Sequence, residues 1–329
     1  MGAIITYASG LNDTVYGQSL FPIKTALQSQ IEAFEKESIV DFLYVKETSK
    51  HFGEKKTSMG GMDEPKPVAR GGDFPENDMA EGYSNQVEHQ TWKDSFRIIR
   101  EDWDDKQILA AKQPMMRFTQ AWGRGRERFG IYTLCGATAT SVNVGGVAFN
   151  TKGHDGVALF STAHPPKVSG NNQSNLYDNA FSVTNLGLVE TAMQNFKGER
   201  NEELAIAPDT IMIPNQAALK KAVFEAIGSN YDPSSVTNNS VWNYQVGRWT
   251  VIVNPYWVPA TGSPWMLLSN EYNKAYECLN WYDRMPLTIK GEEAPNWDLL
   301  HKGMARRSIM FTDFRCVAMA GVSGGTTLA

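Results

Sequence analysis

The residues best suited to catalysis lie in one short segment, which contains His154, Asp155, Ser161 and His164. A serine hydroxyl, an imidazole and a carboxylate are the groups of an acyl-transfer triad. Triad members usually converge from distant parts of a fold, and the nucleophile sits on a strained turn such as GxSxG; this segment has neither feature. Local backbone hydrogen bonds before Pro165 are the simpler interpretation. A serine-dependent hydrolase using Ser161 and His164 remains an alternative.

The same segment contains side chains that bind metals. His154, Asp155 and His164 supply imidazole and carboxylate groups, which suit several divalent ions. The spacing matches neither HExxH nor DxDxDG, and the chain has no GxxxxGK[ST] loop and no GxGxxG after a strand. We therefore predict no metal site and no cofactor.

The charge balance bears on nucleic-acid binding. The chain has 31 Lys and Arg against 36 Asp and Glu, a net charge of −5. Dedicated nucleic-acid binders use dense basic surfaces that displace counterions from phosphates. The acidic balance therefore argues against a dedicated nucleic-acid binder. A nucleic-acid-binding protein is the second alternative, and its binding would weaken steeply with salt.

The cysteines and the hydropathy pattern indicate the compartment. Cys135, Cys278 and Cys316 are odd in number and form no CxxC pair, which predicts reduced thiols inside a cell. No apolar run approaches 18 residues, and the first residues lack the pattern of a signal peptide. We expect no association with a membrane.

A long polar excursion occupies Gly53–Gly82 and has too few large apolar side chains to form a core. Structureless loops longer than about 12–15 residues are usually functional or linkers. The flanking segments Asp41–Val45 and Val87–Ile99 are rich in strand formers, which predicts a long hairpin. A two-stranded ribbon is marginally stable in water, so we expect support from outside the protomer. A floppy insertion in an enzyme is the alternative.

A long amphipathic helix is predicted for 105–136. Asp104 or Asp105 is a suitable N-cap and Gly136 a suitable C-terminal glycine, while Pro114 implies a kink or a restart. The apolar residues recur at alternating steps of three and four and are Ile108, Ala111, Met115, Phe118, Trp122, Gly125, Phe129, Tyr132 and Gly136.

The remaining chain indicates an α+β class. Helices are predicted at Thr184–Phe196, with Leu186, Val189 and Met193 inward, and after Asn215 as N-cap, with a buried strand at Pro208–Pro214 between them. Strand candidates then follow one another from Trp249 to Ala320. The length suggests about two domains.

Four segments carry a resemblance to a known family: Ile98–Asp105, Asp155–Pro165, Pro208–Pro214 and Gly262–Glu271. With these motifs the chain resembles the major capsid proteins of tailed bacteriophages, which have the Hong Kong 97-type fold, and among them the major head subunits of Mu-like phages. The resemblance covers nearly the whole chain, and the second segment is its most specific part.

The resemblance implies an architecture in which an extended loop, the E-loop, lies across the neighbouring subunit. The implied regions are an N-arm at 1–45, the E-loop at 46–100, a peripheral domain at 101–207 that includes a spine helix at 105–136, an axial domain at 208–283, and a return to the axial and peripheral sheet at 284–329.

The resemblance also implies a structural function without catalysis. The subunit would self-assemble as hexamers and pentamers into an icosahedral shell around phage double-stranded DNA, which it would contact non-specifically. Because the chain reaches its arm almost at once, a separate scaffolding protein is expected, together with a portal and a decoration protein. The protein would be assembled in the host bacterial cytoplasm and reside in the virion.

Contacts between subunits are expected from charged and aromatic residues of the polar excursion and from the arginine cluster of the long helix. These candidates are Lys55, Lys56, Lys66, Arg70, Phe74, Arg124, Arg126 and Arg128.

Overall fold

The computed structural model describes residues 38–59, 65–76, 81–101, 108–168, 170–230 and 242–328. The predicted N-arm up to residue 37 and the predicted helix cap at Asp104 or Asp105 lie outside these residues. The chain divides into two compact units. The first contains the described residues of 1–52, 89–130 and 282–308, and the second those of 53–88, 131–281 and 309–329.

Helices and strands are mixed along the chain, which confirms the predicted α+β class. The helices are α1 (Ile39–Leu43), α2 (Ile108–Cys135), α3 (Val183–Gln194), α4 (Ala217–Gly228) and α5 (Asn270–Tyr276). The strands are β1 (Val45–Thr48), β2 (Gly53–Met59), β3 (Glu81–Glu88), β4 (Gln90–Ile98), β5 (Ser141–Val144), β6 (Val147–Asn150), β7 (Thr210–Pro214), β8 (Thr250–Asn254), β9 (Trp265–Leu268), β10 (Leu279–Glu293), β11 (Leu299–Phe311) and β12 (Val317–Ala320). No described helix is long and apolar enough to cross a membrane.

The first unit contains most of a sheet with the strand order β1-β10-β11-β4. The first residues of β10 and the last residues of β11 belong to the second unit. Strand β4 runs antiparallel to β11, so that Trp92 lies opposite Ala305. Phe118 and Trp122 of α2 pack on Ala305 with Trp92 and Phe96 around them. The helix can approach β11 closely because residue 303 is a glycine, where a Cβ would lie only 2.9 Å from Trp122 Nε1.

The predicted apolar stripe of α2 is confirmed at three aromatic residues and is wrong at Gly125. Phe118, Trp122 and Phe129 are buried, whereas Gly125 is exposed. The helix runs through Pro114 without a break, so the predicted restart at this residue is wrong.

The end of α2 follows the prediction, but the reason differs. Gly136 comes directly after the last helical residue, and its N–H donates to the Tyr132 carbonyl at 3.0 Å. It does not adopt the left-handed conformation of the expected glycine cap. A Cβ at this position would lie 2.6 Å from Val142 Cγ2, so the glycine allows the β5–β6 hairpin to pack against the helix end.

The predicted strand at Asp41–Val45 is wrong, because these residues lie mainly in α1. The Ser38 hydroxyl accepts a hydrogen bond from the Asp41 N–H at 3.2 Å and caps the helix. Val40 and Leu43 are fully buried. A cap and two buried side chains outweigh the strand propensity of the segment.

The second unit is built around a sheet with the order β12-β9-β7-β8. Every residue of β7, β9 and β12 is buried, as expected for strands covered on both faces. The predicted inward residues of α3, Leu186, Val189 and Met193, are buried in this core. The predicted cap at Asn215 is wrong, because Gln216 occupies the N-cap position of α4 without a side-chain hydrogen bond.

A hairpin joins β2 to β3, as predicted, but its strands differ from those expected. The antiparallel partners include Lys55 with Gln86 and Lys56 with Asn85. Most of the predicted second strand forms β4, which pairs with β11 instead. Strands β2 and β3 approach closely at Gly82, where a Cβ would lie 2.7 Å from the Ser58 carbonyl oxygen. We call the paired part of β2 and β3 the ribbon root.

Candidate subunit-contact surfaces

Residues 65–76, which are the described residues between β2 and β3, are exposed throughout. We call this segment the loop. A turn is closed by the Gly72 N–H, which donates to the Ala69 carbonyl at 2.9 Å. Phe74 is 97% exposed, and Val68 is also exposed. An aromatic side chain that is almost fully exposed gains little from burial in its own subunit and is a candidate for contact with a partner.

The charged candidates of the excursion have different environments. Lys66, Arg70 and Lys55 are exposed. Lys56 instead points into its own subunit, where its Nζ lies 2.5 Å from Glu277 Oε2 and 3.3 Å from Asn280 Oδ1. The alternation of side chains along a strand places the two neighbouring lysines on opposite faces.

The arginine cluster of α2 divides in the same way. Arg124 and Arg128 are exposed, whereas the Arg126 guanidinium forms an ion pair with Asp41 and donates to the Ser38 hydroxyl. Arg126 therefore joins α2 to α1 inside the subunit, and Arg124 and Arg128 remain on the outer face.

The segment that carries the hydrolase alternative contains a buried hydrogen-bonded cluster around His164. His164 is buried, and its Nδ1 lies 2.6 Å from Asp155 Oδ2 while its Nε2 lies 3.1 Å from Asn175 Oδ1. The imidazole also stacks on Phe314, with ring centroids 3.8 Å apart. Both ring nitrogens are engaged by partners that hold the ring in place.

Ser161 does not form a dyad with His164. Its hydroxyl accepts from the Ala163 N–H at 3.2 Å, and its own N–H donates to Asn175 Oδ1 at 2.9 Å. A serine nucleophile needs a base within hydrogen-bond reach, and the imidazole nitrogens face other groups. The hydrogen bonds support the structural interpretation of this segment.

A buried ion network lies in the second unit. Glu199 accepts hydrogen bonds from Arg315 Nη2 at 3.0 Å and from the Lys167 N–H at 2.8 Å, and His154 Nε2 lies 3.7 Å away. Burial alone would raise the pKa of Glu199, but the nearby His154 imidazole, the hydrogen bond from the Lys167 N–H and the charge of Arg315 lower it to about 2. Asp313 pairs with the other side of the Arg315 guanidinium at 3.1 Å.

Metal-binding groups and thiols are the other side chains considered for chemistry. Among the described residues no three His, Cys, Asp or Glu side chains lie close enough together to hold a metal ion. The cysteines are free thiols, and burial raises the pKa of Cys278, which disfavours the reactive thiolate.

Sequence reasoning missed several asparagines that make long-range hydrogen bonds. Asn85, Asn175 and Asn280 each bind backbone or side-chain groups far away in the sequence. A single asparagine in a strand or loop has no spacing pattern that would indicate such a partner.

Comparison with known families agrees with the fold. The model of a family described as phage capsid protein matches residues 83–320, which is more than half of the chain. The chain therefore belongs to the phage capsid protein family. No curated protein matches it.

Solved structures are similar in fold at low sequence identity. A chain from a structure of Mycobacterium phage Patience has a TM-score of 0.50 at 12% identity, with 94% of this chain and 89% of that chain covered. For Microbacterium phage Oxtober96 the TM-score is 0.50 at 8% identity, with 88% and 91% covered. For the decorated capsid of bacteriophage JBD30 it is 0.49 at 15% identity, with 67% and 91% covered.

Proposed function

We propose that this chain is the major capsid subunit of a phage and self-assembles into an icosahedral shell around double-stranded DNA. The observation that carries the proposal is the exposed loop at 65–76, which presents Phe74 to solvent in a member of the phage capsid protein family. The loop adds almost no apolar surface to its own subunit, so a contact with a second copy is its best-supported role.

The proposal includes the finer architecture implied by the sequence. We assign the Hong Kong 97-type fold to this subunit and consider it a relative of the Mu-like head proteins. Residues 46–100 then form the E-loop, and the long helix α2 forms the spine. The other predicted regions are the N-arm at 1–45 and the peripheral and axial domains in the remainder. Hexamers and pentamers would form the shell, with Lys55, Lys66, Arg70, Arg124 and Arg128 at contacts between subunits.

A purely structural role without catalysis is part of the proposal. It is supported by the engagement of both His164 nitrogens and by the separation of Ser161 from them. The proposed partners are a scaffolding protein, a portal, a decoration protein and DNA bound without sequence specificity. The proposed location is the virion after assembly in the bacterial cytoplasm.

Assembly of the purified full-length protein tests this function directly. Light scattering and negative-stain electron microscopy should show capsomer rings or closed shells, alone or after addition of a scaffolding protein from the same phage. The Ser161→Ala variant should assemble in the same way, because the Ser161 hydroxyl bonds only within its own turn. A strictly monomeric or dimeric protein under both conditions would contradict the proposal.

A further inference from the structure

One cross-strand pair of the ribbon root forms polar contacts with the rest of the second unit. We call the second unit without β2 and β3 the body. Lys56 and Asn85 are direct partners in the β2–β3 ladder. Lys56 Nζ lies 2.5 Å from Glu277 Oε2, as described above. Asn85 Nδ2 donates to the carbonyl oxygens of Phe311 at 2.9 Å and Lys152 at 3.0 Å. Each strand of the root therefore has its own polar contact to the body.

The acceptor of Lys56 in the body, Glu277, lies at the end of α5 and is held by several hydrogen bonds. We call Glu277 and its hydrogen-bond partners the corner. Glu277 is the C-cap of α5 and adopts a left-handed conformation with φ of 49°. Its carbonyl accepts from Asn280 Nδ2 at 2.6 Å and also from the Thr312 hydroxyl. Asn280 is fully buried and belongs to β10. The corner joins the end of α5 to β10 and to Thr312, the residue that follows β11. Its position is therefore set by the fold of the body and not by the ribbon.

Further contacts lie beside this pair on the same side of the root. Lys167 Nζ donates to the Gly82 carbonyl at 2.5 Å and stands over the Tyr83 ring, 5.6 Å from its centroid. The Tyr83 ring also contacts the imidazole of His154, with centroids 5.7 Å apart. We call the side of the root that carries Lys56, Tyr83 and Asn85 its inner face. This face contacts the body along several residues of β3.

The outer face of the root shows the opposite pattern. Lys55 and Gln86 form the adjacent cross-strand pair, and both are exposed. Because side chains alternate along a strand, this pair and the Lys56–Asn85 pair point in opposite directions. The chain thus provides a matched control for the anchored pair.

We propose that Lys56 and Asn85 are positioning residues that fix the direction of the ribbon before a second copy of the chain binds to its loop. The proposal rests on the proposed function. A free two-stranded ribbon is marginally stable, and ordering it during association would weaken binding. An anchor within the subunit moves that ordering cost into folding, and the loop then meets its partner in a preorganised position. Lys56 thereby acts within the subunit, whereas its neighbour Lys55 remains available to a partner.

Hydrogen–deuterium exchange on unassembled subunits tests the anchor itself. In the Lys56→Met and Asn85→Ala double variant we expect the ladder amides of β2 and β3 to exchange about tenfold faster, because local opening becomes easier. The Lys55→Met and Gln86→Ala double variant, which changes one lysine and one side-chain amide on the outer face, should exchange as the wild type does. Amides of β7 should be protected in both variants, which shows that the subunit is folded. Equal exchange of β2 and β3 in the two variants would overturn the anchor.

A charge-swap variant separates the ion pair from a general loss of packing. Lys56→Glu and Glu277→Lys should each speed the exchange of the ribbon amides, and the combined variant should restore slow exchange because it re-forms the pair with reversed charges. Additive effects in the combined variant would show that the two residues act independently and would contradict the assignment.

Assembly of the same proteins distinguishes this inference from the proposed function. If the anchor preorganises the loop, the inner-face double variant should need about a tenfold higher protein concentration to assemble than the outer-face variant. Rapid exchange with unchanged assembly would refute preorganisation and leave the capsid role intact. If the wild type does not assemble, the capsid role fails, and the exchange data still decide whether the anchor exists.

Discussion

The side chain of Glu199 shows how a single buried group can stabilise this fold. It accepts hydrogen bonds from Arg315 and from the Lys167 backbone, with His154 close by. These groups favour the ionised form more strongly than burial disfavours it, and they lower the pKa of Glu199 to about 2. In an unfolded chain the pKa would be about 4.3, so folding is linked to the ionised state.

We predict that Glu199→Gln lowers the free energy of unfolding by about 2–3 kcal/mol at pH 7, because it leaves the buried Arg315 without one of its two carboxylates. The stabilisation from Glu199 is fully present above the unfolded pKa and is lost as the pH falls through about 2. The difference between wild type and variant should therefore be smaller at pH 3 than at pH 7, measured by urea unfolding. Glu203→Gln, at an exposed ion pair with Lys197, is the control and should change little. A difference that is equal at both pH values would contradict the linkage.

The residues of the predicted catalytic segment could be found from the sequence, but their role could not. Asp155 and His164 do lie together, as the short spacing suggested. Their other partners, Asn175 and Phe314, come from later parts of the chain and have no recognisable spacing. The difference between a triad and a structural cluster lies in those partners, so sequence reasoning left both interpretations open.

Among the elements, helix α2 shows how two glycines in one segment can have opposite roles. Gly125 is exposed, and a Cβ at this position would have no atom within 4 Å. At Gly136 a Cβ would collide with Val142, as described above. The sequence pattern counted both residues in one apolar stripe and could not distinguish them.

We predict that Gly125→Ala raises the free energy of unfolding by about 1 kcal/mol, because alanine has the higher helix propensity and the site has room for its methyl group. Gly136→Ala should instead lower it by about 1–3 kcal/mol, since the added methyl group must displace the β5–β6 hairpin. Thermal unfolding of unassembled subunits measures both changes. If Gly136→Ala instead raised the free energy of unfolding, the β5–β6 hairpin would be able to move away from the methyl group without loss of stability, and the prediction would be wrong.

The elements that sequence reasoning predicted well are those defined by local patterns. The period of α2 and the inward residues of α3 depend on neighbouring residues only, and both are confirmed. Strand pairing depends on partners far along the chain. Strand β4 alternates as an edge of a hairpin would, yet it pairs with β11, about two hundred residues later. Alternation predicts that a strand exists but does not choose its neighbour.

At the scale of the whole molecule, the buried apolar clusters and the exposed loop are different parts of the chain. Each unit has its own buried apolar cluster around a sheet. The loop at 65–76 contributes to neither cluster and is exposed along its length. A segment that does not stabilise the subunit is free to present contact groups to another copy, and this division makes the two roles separable by deletion.

We predict that replacing Gly60–Met79 by a short turn leaves a folded subunit that assembles poorly or into a weak shell. The free energy of unfolding should change by less than about 1 kcal/mol, because shortening a loop alters its closure entropy only slightly. Urea unfolding measures the first quantity, and light scattering with electron microscopy measures the second. Phe74→Ser is the matched point variant: it should leave stability unchanged and weaken assembly, since Phe74 contacts almost nothing in its own subunit. Normal shells from both variants would show that the ribbon ends without a partner, and the search for subunit contacts would then turn to Arg124 and Arg128 on the outer face of α2.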